Sequence, residues 1–318
     1  MEAVDPDGDV IIECDDQYFR VSSKILATAS PVFSALFKPH FREGASMVGG
    51  SIEPVVITLH DDDPEALLAF FNLVHFRSDA LPANPSTTCL EHFAVLVDKY
   101  MCRAATEAQG RRWLLARKIK GLAVPELCQL LLLAYIVDSP SRFAAISKQI
   151  LFTYSDSFSE LSLLRNHPLL PNHIVAEFEA KKHEIGRIVR KAITGPFERM
   201  TTFNPAERCM ALYISKLRHF GLLPGTDIFE AKTFQQVCYD IFKLPNFHSQ
   251  ACKVKYCVCK LREMVTQDKE LKALFQKCET ANLGLCMDCI KSKRSSFRNC
   301  RYAHSNLGDD KAIFGKAD

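Results

Sequence analysis

The 318-residue sequence has no long hydrophobic run and no export signal. Its longest apolar stretch, LCQLLLLAYIV at 127–137, is too short to cross a hydrocarbon core of about 30 Å as a helix. The N-terminus is acidic and lacks the apolar segment of a secretory signal. We therefore expect a soluble intracellular protein of the nucleus or cytoplasm, with no membrane partner, in which 127–137 is a core helix.

Common catalytic motifs are also missing. The sequence has no Gly-rich phosphate loop, dinucleotide fingerprint, GxSxG elbow, HExxH pair or paired metal-binding carboxylates. It has no internal repeat and no low-complexity segment. We therefore predict that the protein is not an enzyme.

Positive charge is scarce in the first third of the chain. Residues 1–110 contain 7 Lys and Arg against 17 Asp and Glu, whereas the remainder contains 33 against 20. An acidic N-terminal part and a basic C-terminal part indicate about two domains, which the length also favours. The basic residues are spread along predicted helices, which favours a solvated surface over a nucleic-acid site.

The first 120 residues alternate strand and helix signals. Apolar residues at 9–14 and 18–21 flank a turn and predict a hairpin, and 55–59 predicts a third strand. Residues typical of helix starts, by capping or by proline in the first turn, are Ser22 or Ser23, Ser30, Pro31, Asp62 or Asp63, and Pro64.

Helical periodicity is present at 89–102 and continues beyond Gly121. Apolar residues at helical spacing in 89–102 predict one buried face made of Leu90, Phe93, Ala94, Val97 and Met101. Beyond Gly121 the chain is predicted to be almost entirely helical.

The order hairpin, two helices, strand, helix, long loop, helix, helix resembles a BTB/POZ domain. Residues at fixed offsets that carry the resemblance are Asp9, Phe19, Leu26, Ser30-Pro31-x-Phe33, Phe37 and the acidic run before Pro64. Ser22-Ser23-Lys24 replaces the His-Lys pair of many animal members. The stretches VSSKIL, SPVF and LGLCMDC…CRYAH resemble the BTB proteins abundant in filamentous fungi.

The resemblance implies an α+β fold in three parts. We predict a BTB/POZ domain at 5–120, a helical cluster capped by a small sheet, then a helical extension at 121–237. A Cys/His-rich element at 238–308 would be stabilised by zinc. The expected function is protein–protein interaction, either by dimerisation or as a substrate adaptor that joins a cullin scaffold to an unknown client protein.

Two pairs of residues are predicted contacts within that resemblance. Phe41-Arg42-Glu43 is similar to the hydrophobic-x-Glu step of family adaptors, so Phe41 and Glu43 would contact the scaffold. The alternative is that Phe41 packs under its own loop. Asp9 and Lys24 resemble the charged pair of dimeric members, although a strand-capping Asp9 and a solvent-facing Lys24 are the favoured interpretation.

Eight of the 13 cysteines fall between 238 and 300. Cys286-x2-Cys289 followed by Cys300-x3-His304 has the composition of a tetrahedral zinc site. Four ligands leave no open position, so we expect a structural role. A second group (His248, Cys252, Cys257, Cys259, Cys278) could be another site, alternative ligands or packed thiols, and the last is favoured. The scattered cysteines, expected to be buried, are Cys14, Cys89, Cys102, Cys128 and Cys209.

The alternative function is a nucleic-acid-associated transcriptional regulator. In that interpretation the basic Cys/His-rich region binds DNA or RNA, and the BTB domain only dimerises the protein. The CRYAHS segment is similar to the closing turn of CCCH RNA-binding fingers, with Tyr302 available for stacking. The cysteine that such a finger needs near Arg294 is missing, so this is the less favoured hypothesis.

Overall fold

The computed structural model describes residues 1–41, 44–45, 53–200, 206–222, 232–243, 272–273, 275–276, 282–292 and 300–302. The chain divides into two compact units. Unit 1 is Met1–Ile146 with Asn166–Pro171, and unit 2 is Ser147–Arg165 with Asn172–Asp318. Within the described ranges, no helix combines the length and apolarity needed to cross a membrane. The boundaries 5–120, 121–237 and 238–308 remain a prediction.

Unit 1 contains a four-stranded sheet with the order β1-β3-β2-β4. The strands are β1 (Glu2–Ala3), β2 (Val10–Cys14), β3 (Gln17–Val21) and β4 (Val55–Thr58). β2 and β3 form an antiparallel hairpin, while β4 pairs with β2 and β1 pairs with β3 in parallel. The predicted hairpin and third strand are confirmed.

The sheet buries one of its faces. On β2, Val10, Ile12 and Cys14 are fully buried, whereas Ile11 and Glu13 between them are half-buried. Successive side chains of a strand point to opposite faces, so this alternation places the core on one side of the sheet.

Six described helices lie wholly in unit 1, and the first three begin at the predicted starts. They are α1 (Ser23–Ala29), α2 (Pro31–Leu36), α3 (Pro64–Val74), α4 (Thr87–Lys99), α5 (Arg103–Ala116) and α6 (Val124–Ile136). Ser22, Ser30, Asp63 and Ser86 cap α1 to α4, each accepting a hydrogen bond from the amide three residues further on. These bonds satisfy amides that have no partner within the helix. The predicted caps Ser22, Ser30 and Asp63 are confirmed, and Ser86 is a cap that was not predicted.

An aromatic cluster joins the helices of unit 1. The buried ring of Phe33 stacks on Tyr100 with centroids 4.5 Å apart and on Phe70 at 6.2 Å. The buried hydroxyl of Ser30 donates to the carbonyl oxygen of Tyr100 at 2.6 Å. One serine therefore both caps α2 and holds the end of α4.

The buried face of α4 is confirmed except at its end. Leu90, Phe93, Ala94 and Val97 are buried, but Met101 is 67% exposed. The prediction for Met101 is wrong because α4 ends before it, and Met101 takes a left-handed conformation with φ of 51°. The 3.6-residue spacing no longer applies once the helix has ended.

The scattered cysteines behave as small hydrophobic residues. Cys14, Cys89, Cys102 and Cys128 are free and buried. Burial raises the pKa of Cys14 to about 11 and that of each of the other three to about 12, so all four thiols stay neutral. The expectation is confirmed for these four, and the side chain of Cys209 lies outside the described residues.

The regular secondary structure that is described beyond Gly121 is all helical. After α6 come α7 (Pro140–Thr153), α8 (Ser162–Arg165), α9 (Ile174–Met200), α10 (Ala206–His219), α11 (Phe234–Lys243) and α12 (Met287–Ser292). In unit 2, Phe158 stacks on Phe178 with centroids 4.8 Å apart, and the buried Tyr213 hydroxyl donates to the Ile193 carbonyl at 2.7 Å.

Candidate partner loop and candidate metal centre

Phe41 is the exposed member of a phenylalanine series that begins in α2. Phe33 is fully buried, and Phe37 stacks on it with ring centroids 5.9 Å apart. Phe41 is 49% exposed, while its backbone N–H donates to the Lys38 carbonyl at 3.1 Å. A fixed backbone beneath a half-exposed ring is a suitable geometry for filling a pocket on a partner.

Gly44 shapes the turn that carries Phe41. The amide of Ala45 donates to the Phe41 carbonyl at 2.8 Å, which brings the chain back across Lys38. A Cβ added at Gly44 would overlap the backbone carbonyl of Lys38, so any other residue would displace the loop. Glu43, the other predicted scaffold contact, lies outside the described residues.

Asp9 connects the sheet to the first helix within one chain. Its carboxylate accepts the backbone N–H of Ser23 at 2.7 Å and the Ser23 hydroxyl at 2.6 Å. A carboxylate at this position also complements the positive N-terminal end of α1. Lys24 is exposed. The role of Asp9 and Lys24 in a dimer stays a prediction.

Three of the four predicted metal ligands lie together. The Sγ atoms of Cys286, Cys289 and Cys300 are all within 4.8 Å of one another, and Cys289 and Cys300 are separated by 3.6 Å. Four sulfur ligands around a tetrahedral zinc would be about 3.8 Å apart, given a Zn–S distance of about 2.3 Å. The three thiols therefore fit a zinc ion. His304 lies outside the described residues.

The acidity of these thiols depends on their packing. Burial, with added hydrogen bonding from Cys300 and Cys286, raises the pKa of Cys289 to about 12. Burial also raises the pKa of Cys300. The free thiols of Cys289 and Cys300 are therefore neutral at physiological pH, and binding of a metal would displace protons from them.

A carboxylate–guanidinium contact holds the third cysteine near the first two. Asp288, in the first turn of α12, accepts hydrogen bonds from Arg301 through the backbone N at 2.8 Å, Nε at 3.1 Å and Nη2 at 2.6 Å. The Tyr302 hydroxyl donates to Asn282 Oδ1 at 2.9 Å. These contacts bring the segment with Cys300 back to α12.

The candidate metal centre is anchored in the core of unit 2. The amide of Leu285 donates to the buried hydroxyl of Ser147 on α7 at 2.8 Å. His173, just before α9, places Nε2 3.1 Å from the Ile290 carbonyl oxygen. Leu283 and Met287 are completely buried.

Sequence reasoning found the thiols but missed their supports. Asp288 within the CxxC pair and Arg301 after Cys300 have complementary charges, which is a readable but weak signal. Ser147 gives no such signal, because its partner Leu285 is 138 residues away in the chain. The second predicted group lies entirely outside the described residues: His248, Cys252, Cys257, Cys259 and Cys278.

A family model of the BTB/POZ domain matches residues 7–108. This range contains β2 to β4, α1 to α4 and the beginning of α5, and therefore includes Phe41, Asp9 and Lys24. No curated protein matches the chain.

Proposed function

The chain is a BTB/POZ domain protein, and on this premise we propose that it is a non-enzymatic adaptor that presents a client protein to a cullin-type ubiquitin ligase. The BTB/POZ domain is a protein-interaction module. In this proposal residues 5–120 engage the scaffold, 121–237 extend the domain, and 238–308 contribute a zinc-stabilised element to the client-binding part.

The observation that supports this proposal most directly is the exposure of Phe41. Burying an exposed phenyl ring contributes about 1.5–3 kcal/mol, and aromatic anchors that fill pockets dominate many interfaces. Phe41 is about half exposed on a backbone constrained by Lys38 and Gly44. Glu43 would orient the contact through its carboxylate.

We propose that zinc in unit 2 has a structural role. Cys286, Cys289 and Cys300 would hold the ion with His304 as the fourth ligand. Four protein ligands would leave no open coordination position for a substrate, so the ion would only stabilise the fold. The separation of the three Sγ atoms supports this assignment. The chain's own part is to orient the thiols through Asp288 and to fix them to Ser147.

Homodimerisation is the second part of the proposed role. BTB domains generally mediate self-association or association with a related chain. Asp9 and Lys24 would form the charged pair of such a dimer. Because Asp9 already accepts two hydrogen bonds from Ser23, its contact with a second chain would have to use the remaining lone pairs.

A nucleic-acid-associated regulator is the less favoured alternative, and it rests on the net positive charge of the C-terminal part. Residues 111–318 carry 33 Lys and Arg against 20 Asp and Glu. Binding through phosphates releases counterions and falls steeply with salt, whereas a contact centred on Phe41 would persist. Binding to a nucleic acid that is lost between about 50 and 200 mM salt would favour the regulator.

The adaptor proposal is tested by capture of cullin-3 from a lysate with the purified full-length chain. Phe41→Ala should reduce capture while the domain stays folded. Phe76→Ala is the matched control, because Phe76 is also an exposed ring of unit 1 and lies outside the loop. Equal capture by the wild type and both variants would exclude Phe41 as the anchor.

A further inference from the structure

Two half-buried arginines of unit 1 occupy neighbouring positions in the fold. Arg117 follows the last residue of α5, and Arg142 lies in the first turn of α7. Nη2 of Arg142 donates to the Arg117 carbonyl oxygen at 2.8 Å, and Nη2 of Arg117 donates to the Pro85 carbonyl oxygen. The Arg142 guanidinium therefore lies against the backbone of Arg117.

Their positive charges have no compensating carboxylate among the described residues. Each makes one hydrogen bond to a backbone carbonyl, and the Nε of each is buried with no acceptor. Burial lowers the pKa of Arg142, and no neighbouring carboxylate opposes that effect. Three other arginines of unit 1 meet a carboxylate: Arg77 pairs with Glu2, Arg103 with Glu107 and Asp138, and Arg111 with Glu107.

Helix ends add to the positive potential at this place. The N-terminus of a helix carries the equivalent of about half a positive charge, which favours anions. Arg142 lies in the first turn of α7, and Arg117 contacts Pro85 just before the Ser86 cap of α4. Both arginines therefore add positive charge where a helix N-terminus is already positive. Lys118 and Lys120, both exposed, follow directly in sequence. The carbonyl end of α5, where Arg117 lies, offsets part of this charge.

Half-buried cations without counter-charges are costly, and a site that gains an anion recovers that cost. We propose that Arg117 and Arg142 form a binding site for an oxyanion, either a phosphate or the carboxylates of an acidic protein segment. A guanidinium presents five N–H donors in a planar fork that matches both groups, and one donor of each arginine is used on a carbonyl. This site is separate from the Phe41 loop and does not rest on the adaptor function.

The test is calorimetric titration of the full-length chain with two probes at constant ionic strength: inorganic phosphate and a hexaglutamate peptide. Arg142→Met and Arg117→Met should each weaken binding about tenfold or more, since a hydrogen bond to a charged group contributes about 1.5–3 kcal/mol. Arg112→Met is the matched control, because Arg112 is an exposed arginine of α5. It should bind like the wild type.

The two probes also identify the source of the oxyanion. Binding of phosphate alone assigns a small-anion or phosphoryl site, and binding of hexaglutamate alone assigns an acidic protein segment; binding of both supports the general oxyanion site. Binding of neither probe overturns the proposal, as does equal weakening by Arg112→Met.

Thermal unfolding in chloride buffer separates this role from simple capping of carbonyls. If Arg142 only caps α5, Arg142→Met lowers Tm, and phosphate changes the Tm of the wild type and of the variant by the same amount. If Arg142 serves an anion, the variant loses the increase in Tm that phosphate gives the wild type, whatever its Tm in chloride. Should Arg142→Met fail to fold, Arg142→Lys retains the charge without the fork and must still weaken binding; unchanged affinity would overturn the proposal.

Discussion

Asp288 accepts three hydrogen bonds from Arg301, and this one carboxylate fixes the backbone next to Cys300. The contact holds Arg301 against Asp288 of α12, which lies 13 positions earlier in the chain. The thiols of Cys289 and Cys300 are consequently close together through contacts of the protein itself. Groups that orient ligands in this way commonly tune the affinity of a metal site.

Asp288→Asn should weaken zinc binding by about 10–100-fold, the usual effect of removing an orienting partner. The amide keeps the shape of the side chain but loses the charge that attracts Arg301. The measurement is competition for zinc with a chromophoric chelator. Asp288→Glu retains the charge and should recover part of the affinity. An unchanged affinity in Asp288→Asn would show that the contact does not position the thiols.

Removal of zinc should loosen unit 2 selectively. The cluster is connected to Ser147 through Leu285 and to His173 through Ile290, so its loss should free those contacts. Hydrogen exchange of the zinc-loaded full-length chain, before and after chelation, is the measurement. We expect faster exchange at 283–292 and near Ser147, with unchanged exchange in β2, β3 and α4. Exchange rates at 283–292 and near Ser147 that do not change on chelation would contradict a structural metal.

Met101→Gly should stabilise unit 1 by up to about 1 kcal/mol. Met101 is exposed with φ of 51°, and a left-handed residue with a Cβ costs roughly 1–2 kcal/mol, part of which the flexibility of glycine offsets. Leu115→Gly is the control at nearly equal exposure, because Leu115 lies in the last turn of α5 and the change should destabilise by up to about 1 kcal/mol. Denaturant unfolding measures both. A loss of stability in both variants would refute the strain argument.

The stability of unit 1 should fall as pH drops below about 6.5 because of His75. Its Nε2 accepts the Ser22 amide at 3.1 Å, while Nδ1 lies 2.8 Å from the Phe71 carbonyl oxygen, so the ring is bonded as neutral imidazole. Burial lowers the pKa of His75 from its ordinary 6.5. The unfolded chain therefore takes up a proton at a higher pH than the folded chain does, and acid favours unfolding.

The size of the His75 effect is read by comparison with His75→Gln, which cannot gain a proton. Between pH 7 and 5 the wild type should lose more stability than the variant, with each pKa unit of lowering corresponding to about 1.4 kcal/mol. An NMR titration should place the folded pKa below 6.5. A pKa at or above that value would reverse the expected sign.

Local chemistry made much of unit 1 predictable. Ser30 before Pro31 and Asp63 before Pro64 are recognisable caps. The apolar residues of β2 before a turn predict the hairpin. Met101 was missed because the apolar spacing continues past the residue at which the helix ends. The spacing of the apolar residues does not predict that Met101 takes a left-handed conformation.

The metal centre was only partly predictable. The CxxC pair and Cys300 follow from residue type and spacing, because a thiol cluster needs only local turns to form. The anchors do not, since Ser147 meets Leu285 through tertiary packing across more than a hundred residues. The same limit applies to Arg117 and Arg142, whose lack of a carboxylate partner depends on how α5 and α7 meet.

The most direct test of the adaptor is the dissociation constant between the purified full-length chain and purified cullin-3, measured for the wild type, Phe41→Ala and Phe76→Ala. The account predicts binding that Phe41→Ala weakens by at least about tenfold, the effect of losing about 1.4 kcal/mol of ring burial, with Phe76→Ala unchanged. Absence of binding by the folded wild type, or equal affinity of all three proteins, would contradict it.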